Sequence, residues 1–332
     1  MKVNIRKISE ITGFSPATVS NALNHKKGVN AETAEKIIQT AKELGYNEES
    51  RISRIKFVIF KKYGDIVEDT PFFTQMIAGV EQECRASGME LLICNLDRRL
   101  DNYDELLTEI CEDRSAGIIL LGTELEDEDI GLIRRLPSPY VVIDYWKEDM
   151  SFDALLINNG DSARLATEYL IENGHRRIGY LKGSFRIKPF RSRYSGYKVA
   201  MDKAGIPVEE KYTVELSPLM DRAYQDMKEW LSKKPELPTA FFADDDIIAL
   251  AAMKAMWESG IRIPEDISLV GFDDLSYCAI ANPPLTTLRV PKQEMGRTAV
   301  RRLRNMIQDA DDLHLKMQVC TEFVERQSVR RL

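Results

Sequence analysis

The sequence predicts two unlike parts: a small all-α unit over residues 1–46, then an α/β body of two lobes built on doubly wound parallel sheets. Three observations predict this. Up to Leu44, apolar residues recur at helical spacing in three short segments. From Ile55 onward, short apolar runs alternate with amphipathic helical ones, the pattern of parallel strands covered by helices. The strand candidates are too many for one comfortable sheet, so the body is expected to divide.

Length and composition agree with this division. A chain of 332 residues exceeds the usual size of one domain. Its 44% hydrophobic and 30% charged residues suffice to bury sizeable cores in water. No apolar run approaches the ~18 residues of a membrane span, and the start lacks the apolar segment of a secretory signal, so a cytoplasmic location is expected. The five cysteines (Cys84, Cys94, Cys111, Cys278, Cys320) never form a CxxC pair, and His25, His175 and His314 are scattered, so neither a disulfide framework nor a metal site is indicated and no cofactor is expected. Charge is uneven. Up to Tyr46 there are seven Lys/Arg against four Asp/Glu, and beyond it 39 against 49. A mildly basic head on an acidic body suits a nucleic-acid reader, although surface charge also fluctuates this much without function.

Within the head, Ile5, Ile8 and Ile11 mark a first helix, and Thr12-Gly13-Phe14 breaks it. Ser15-Pro16 restarts the helix as N-cap and first helical residue. In the second helix Val19, Ala22 and Leu23 turn inward, leaving Ala17, Thr18, Ser20 and Asn21 outside. Small and amide side chains on an outer face suit entry into a DNA major groove, yet any short helix pair can read this way. His25-Lys26-Lys27-Gly28 follows as a loop that either tracks phosphates or is simply solvated. A third helix begins after Asn30 as N-cap, buries Ala34, Ile37, Ile38, Ala41 and Leu44, and stops at Gly45.

Strands of the body are expected in KFVIF (56–60), ELLICNL (90–96), GIILLGT (117–123), YVVIDYW (140–146), ALLIN (154–158), RIGYLKG (177–183), TAFFA (239–243) and SLVGFDD (268–274). Helices are expected at 73–87, 102–113, 161–173, 194–204, 222–232, 247–259 and 292–308.

The run from Val3 to Tyr46, with GFSPATVSNALN, Val29-Asn30 and AKELGY, resembles the DNA-binding headpiece of the lactose-repressor/galactose-repressor (LacI/GalR) family of bacterial transcription regulators. By that resemblance Pro16, Ala17 and Asn21 read bases, and Ser15, Thr18 and Asn24 touch phosphates. An asparagine such as Asn21 bonds an adenine edge bidentately, and many relatives carry arginine there. The linker departs from the family: NEESRISR (47–54) is about half the usual length, with Glu48 and Glu49 in place of Pro-Asn. Ile52 stands either as the apolar wedge that kinks the minor groove or as an ordinary linker residue.

PFFTQMIAGVEQECRASG, LATEYLIENGHRRIGYL, RSRYSGYKVAMDKAGIP and the stretch from IPEDISLVGFDD to GRTAV extend the resemblance to the C-terminus. It implies an all-α helix-turn-helix headpiece on a two-lobed effector domain of the periplasmic-binding-protein type I fold. The expected divisions are 1–46, a linker at 47–54, and 55–332, with lobes of about 55–153 plus 282–310 and 154–281 plus 311–332. A ligand is then held in the cleft at the strands' carboxyl ends.

Carried over residue by residue, the resemblance places Arg193, Asp144, Asp273, Asp245, Phe72 and Phe73 at the effector, with Asp246 the partner of Asp245. Trp146 is a stacking platform by position alone. Carboxylates accepting from hydroxyls, an arginine donating and an aromatic face suit a small neutral sugar. Each residue also has a plainer role: strand-end aspartates such as Asp274 cap helices, and Phe72 and Phe73 fit a core. Asp245 disfavours an anionic effector unless Lys188 and Arg191 compensate. No GxSxG, phosphate loop or HExxH occurs, and Asp244-Asp245-Asp246 reads as a pocket contact plus helix-terminal charge rather than a hydrolytic pair, so no enzyme is expected.

The expectation is a homodimeric repressor that binds operator DNA and is switched by a sugar. The rivals are a transport receptor, a sugar enzyme, a regulator with a non-sugar effector such as a nucleobase acting as corepressor, and one whose short linker weakens operator binding.

Overall fold

The computed structural model describes residues 5–23, 28–44, 52–68, 70–137, 139–148, 151–309 and 313–332. Asn24 and residues 45–51, hence most of the linker, lie outside the described residues.

Three helices form the head: α1 (Ile5–Thr12), α2 (Pro16–Leu23) and α3 (Ala31–Glu43). Ser15 Oγ accepts the Thr18 N–H at 3.1 Å, and Asn30 Oδ1 accepts that of Thr33 at 2.7 Å, so both expected caps satisfy a free first-turn donor. The core consists of Ile8, Val19, Ala22, Leu23, Ile37 and Ala41, with Ile5 and Ala34 packed beside it. Ile11, at helical spacing with Ile5 and Ile8, is 49% exposed. Two steps of three residues carry it about 120° round the helix from Ile5, off the buried stripe.

The body supplies strands β1 (Arg54–Lys61), β2 (Glu90–Asp97), β3 (Ala116–Leu121), β4 (Tyr140–Ile143), β5 (Asp153–Ile157), β6 (Ile178–Gly183), β7 (Thr213–Leu216), β8 (Ala240–Ala243), β9 (Ser268–Val270), β10 (Thr287–Arg289), β11 (Lys316–Val319) and β12 (Glu322–Val324). Its helices are α4 (Pro71–Ala86), α5 (Tyr103–Glu112), α6 (Ile130–Arg135), α7 (Asn159–Glu172), α8 (Lys188–Lys203), α9 (Met220–Ser232), α10 (Asp246–Glu258), α11 (Tyr277–Ile280) and α12 (Lys292–Asp309). One sheet runs β11-β5-β4-β3-β1-β2 and the other β7-β6-β8-β9, all pairs parallel, while β10 and β12 form an antiparallel ribbon.

Alternation along the strands sorts the first lobe's core. Phe57, Ile59, Ile119 and Leu121 face Met76, Val80, Val300 and Leu303 of α4 and α12. Val58, Phe60, Ile118 and Leu120 face Leu107, Ile110, Leu132 and Ile133 of α5 and α6. Each such fully buried side chain contributes about 1.5–3 kcal/mol.

The lobe boundaries move from those expected. β5 and β11 both belong to the first sheet, so residues 154–157 and 316–319 leave the second lobe. Strand β5 is buried throughout, and its apolar run fits either sheet until its partners are known. The last residues then pass to the second lobe, where Ser328 Oγ donates to Leu269 O at 2.6 Å and the Leu332 N–H to Asn173 O at 2.8 Å. Helix α8 starts six residues earlier than expected, with Pro189 in its first turn.

Candidate functional site

A cleft lies between the two sheets, and four of the polar residues lining it sit just past the carboxyl ends of strands. Thr123 follows β3, Asp144 β4, Asp245 β8 and Asp273 β9. Arg193 reaches in from the first turns of α8, and Phe72 and Phe73 from the start of α4. The atom-free space is about 530 Å³, part of it open to solvent at the mouth. Six of the seven expected effector residues meet here: Phe72, Phe73, Asp144, Arg193, Asp245 and Asp273.

Arg193 is the hub. Its Nε donates to Asn159 Oδ1 at 2.8 Å, one terminal nitrogen to Asp244 O at 2.5 Å and the other to Asp273 Oδ1 at 3.3 Å, while its plane lies 3.7 Å from the Phe272 ring centre. Gly196, one turn further on, makes the approach possible: a Cβ there would stand 2.1 Å from Gly160 O, so α8 could not lie this close to α7.

Three carboxyls face this arginine. Burial pushes Asp144 up to about 7, against the opposing pull of its 2.9 Å hydrogen bond from Thr123 and of Arg193. Burial raises Asp245 well above the usual carboxylate range, and the nearby Asp273 charge adds to it. Burial also raises Asp273, against Arg193 and Lys292. Asp144 (φ 68°) and Asp273 (φ 112°) both hold left-handed backbone, which costs of order 1–3 kcal/mol each and survives where surrounding structure enforces it.

The aspartate triplet divides its work. Asp244 accepts from Tyr180 Oη at 2.5 Å, from the Gly183 N–H at 2.7 Å and from Arg186. Asp246 accepts from Thr287 and from the Leu275 N–H at 2.6 and 2.8 Å. Asp245 caps α10 through the Ile248 N–H at 2.8 Å and also lines the cleft. A structural role, capping, therefore coexists in it with a place in the cleft wall. The same is true of Phe72 and Phe73, which stack edge to face at 5.1 Å within the core while bordering the cleft.

Three expectations need correction. Trp146 stands outside the cleft, in a neighbouring hollow with Lys147, Lys188 and Arg191, because the left-handed turn at Asp144 sends Tyr145 into the core and Trp146 outward. Asp274 caps no helix; it pairs with Arg289 at 2.7 Å and Arg326 at 2.8 Å. Lys188 does not offset the cleft's carboxyls, since its ammonium is held by Asp127 and Trp146 O, both at 2.8 Å.

Sequence reasoning missed Thr123, Asn159, Ile66, Ile187 and Phe190. Thr123 was within reach, since it ends a strand run as Asp144 does.

On the head, Ser15, Pro16 and Ala17 are exposed, Thr18 and Asn21 half-buried, along one side of α2. Ile52 is half-buried in a crevice between Ile5 and Leu23 of the head and Met89 and Ile307 of the first lobe.

Comparison with known proteins joins the two parts. Residues 4–48 match the family model of bacterial regulatory proteins, lacI family, and residues 167–329 that of a periplasmic binding protein-like domain. The HTH-type transcriptional repressor PurR of Pasteurella multocida (strain Pm70) is 30% identical over 329 residues, 98% of this chain and 98% of that protein. A complex of the transcriptional regulator CelR with cellobiose superposes with a TM-score of 0.74 at 26% identity, covering 98% of this chain and 99% of that one. A lac repressor dimer bound to operator and the anti-inducer ONPF gives 0.74 at 23% identity, covering 99% and 100%, and supports the fold. Similar to such relatives along nearly its whole length, the chain belongs to the lacI family of bacterial regulatory proteins and is a DNA-binding transcriptional repressor of that family.

Proposed function

We propose that this repressor is switched by a small neutral polyhydroxy compound of the sugar class, bound between the lobes. The observation that carries the reading is the meeting of three buried carboxyls, Asp144, Asp245 and Asp273, with Arg193, the one arginine lining the cleft among the described residues. Each carboxyl keeps acceptor capacity beyond its donor from Thr123, the Ile248 N–H or Arg193, and a ligand with several hydroxyls supplies further donors in the directions carboxyls need. A phosphate would have to bury its charge among carboxyls that burial already drives toward their neutral form, with Arg193 already bonded to Asp273. Phe72, Phe73 and Phe190 offer apolar faces for the carbon side of the ring.

A second reading, a purine-type base, is favoured by the name PurR of the curated relatives. The same phenyl rings would stack on a planar base, and a protonated Asp144 would donate to a ring nitrogen.

Ser15, Pro16, Ala17, Thr18, Asn21 and Asn24 form the operator-reading set, with Ile52 leaving its crevice to reach the minor groove. Two copies present two heads to a pseudo-palindromic site in the cytoplasm. The exposed Trp257, Tyr277 and Ile280, at 72%, 47% and 81%, support a face between copies on the second lobe. Effector and operator are linked because the effector binds one lobe arrangement better than the other.

Titration calorimetry with D-ribose, D-glucose, cellobiose, hypoxanthine and guanine tests the effector, followed by operator selection from random duplexes with the binding compound. Sugar binding that alters operator affinity upholds the reading. Binding of a purine base alone replaces it with the second.

A further inference from the structure

The segment after β1 is built around one carboxylate. The N–H groups of Lys62, Tyr63 and Gly64 donate to Glu124 Oε2 at 2.8, 2.8 and 2.9 Å, and that of Ile66 donates to Oε1 at 3.2 Å. Glu124 follows β3 and is 0% exposed. Converging backbone dipoles of this kind make a nest for an anion, and here the anion belongs to the protein itself. On the outer side, Arg99 donates to Tyr63 O at 2.7 Å and to Glu68 at 3.0 Å. Gly64, at φ +81°, lets the guanidinium lie flat on the loop, since a Cβ there would stand 2.4 Å from it. The loop is therefore clasped from both sides.

Its side chains cross the cleft. Asp65 and Ile66 line the pocket. Tyr63 stacks on Phe185 of the second lobe at 4.9 Å and 23°, and Ile66 clusters with Phe185, Ile187 and Phe190. Glu124 touches none of these groups across the cleft, but the backbone that aims them rests on it.

We propose that Glu124 is a positioning residue whose carboxylate shapes segment 62–66 into a preformed lid that joins the lobes over the pocket and sets how long an effector stays. The effector clause rests on the reading of the cleft given above; the joining of the lobes does not. Glutamine is the informative replacement. It keeps the shape of the side chain but turns one of two acceptor oxygens into an NH2 group facing N–H donors.

The test is hydrogen exchange read by mass spectrometry on the full chain with no ligand added. In Glu124→Gln, amides of 62–66 should exchange at least ~10-fold faster, those of 185–191 across the cleft should follow, and β1 and β3 should keep wild-type rates. Wild-type exchange at 62–66 overturns the proposal. So does uniform acceleration of the first sheet, which marks a mere brace, and so does acceleration at 62–66 with 185–191 unchanged. Should Glu124→Gln not fold, Tyr63→Ala decides, because it spares the nest and removes the stack: faster exchange at 185–191 supports the lid and unchanged exchange overturns it. A wrong effector class would leave these results standing. With whichever compound of the calorimetric panel binds, Glu124→Gln should raise the dissociation rate about 10-fold, and an unchanged rate removes the residence-time clause.

Discussion

The two lobes meet at one cleft and bring unlike chemistry to it. From the second come Arg193, Asp245 and Asp273, fixed by buried bonds to Asn159, Ile248 and the Asp244 carbonyl. The first brings Phe72, Phe73 and Ile66, with Asp144 held by Thr123 as its buried carboxyl. On the proposed reading, a ligand's polar side finds rigid partners in one lobe, and its closing surface comes from the other. Division of this kind makes closure itself sensitive to occupancy, because neither wall alone completes the site.

The largest expected break comes from Arg193→Ala. Truncating a buried charged donor costs about 2–5 kcal/mol, so effector affinity should fall at least ~30-fold. Operator affinity without effector, measured by fluorescence anisotropy, should stay within about threefold. A mutant that responds normally would remove the second lobe from its anchoring role.

Asp144 sharpens the comparison from the first lobe's side through pH. Its folded value of about 7 lies above the ordinary carboxyl value, so the folded state holds the extra proton. Its contribution to stability is therefore fullest below about pH 4 and is lost as pH rises through about 7. Asp144→Asn should flatten the decline in Tm between pH 5 and 8 seen by calorimetry. An equal decline in both proteins would show that another group carries it.

Trp146→Ala should do least, changing effector affinity by less than about threefold, because its ring stands in the neighbouring hollow. A tenfold loss in calorimetry would extend the site beyond the cleft.

Much of this was legible in the sequence. The apolar runs mark β1 to β6, β8 and β9, and the family resemblance points to Asp144, Asp245 and Asp273, which the fold brings to the cleft. Three kinds of feature were not legible. Strands β11 and β12 contain no fully buried residue, so KMQV and EFV carry no run to notice. Glu124 begins ELEDED, which reads as a solvated charge run, and its burial depends on backbone 60 residues away. Trp146 was placed by position alone, and one residue with positive φ reversed the direction of its side chain.

The pairing of β11 with β5 has a consequence for how the protein is made. Residues 316–319 close the edge of a sheet begun at residue 54, so the first lobe cannot finish folding while the ribosome still holds its last strand. The second lobe's sheet uses residues 178–270 and is available sooner. Contacts so distant in sequence form late and slowly. A nascent chain therefore has its head and the second lobe's sheet well before it has a cleft that can close. Truncation before residue 316 should yield a product that is translated and collapsed yet unable to sense.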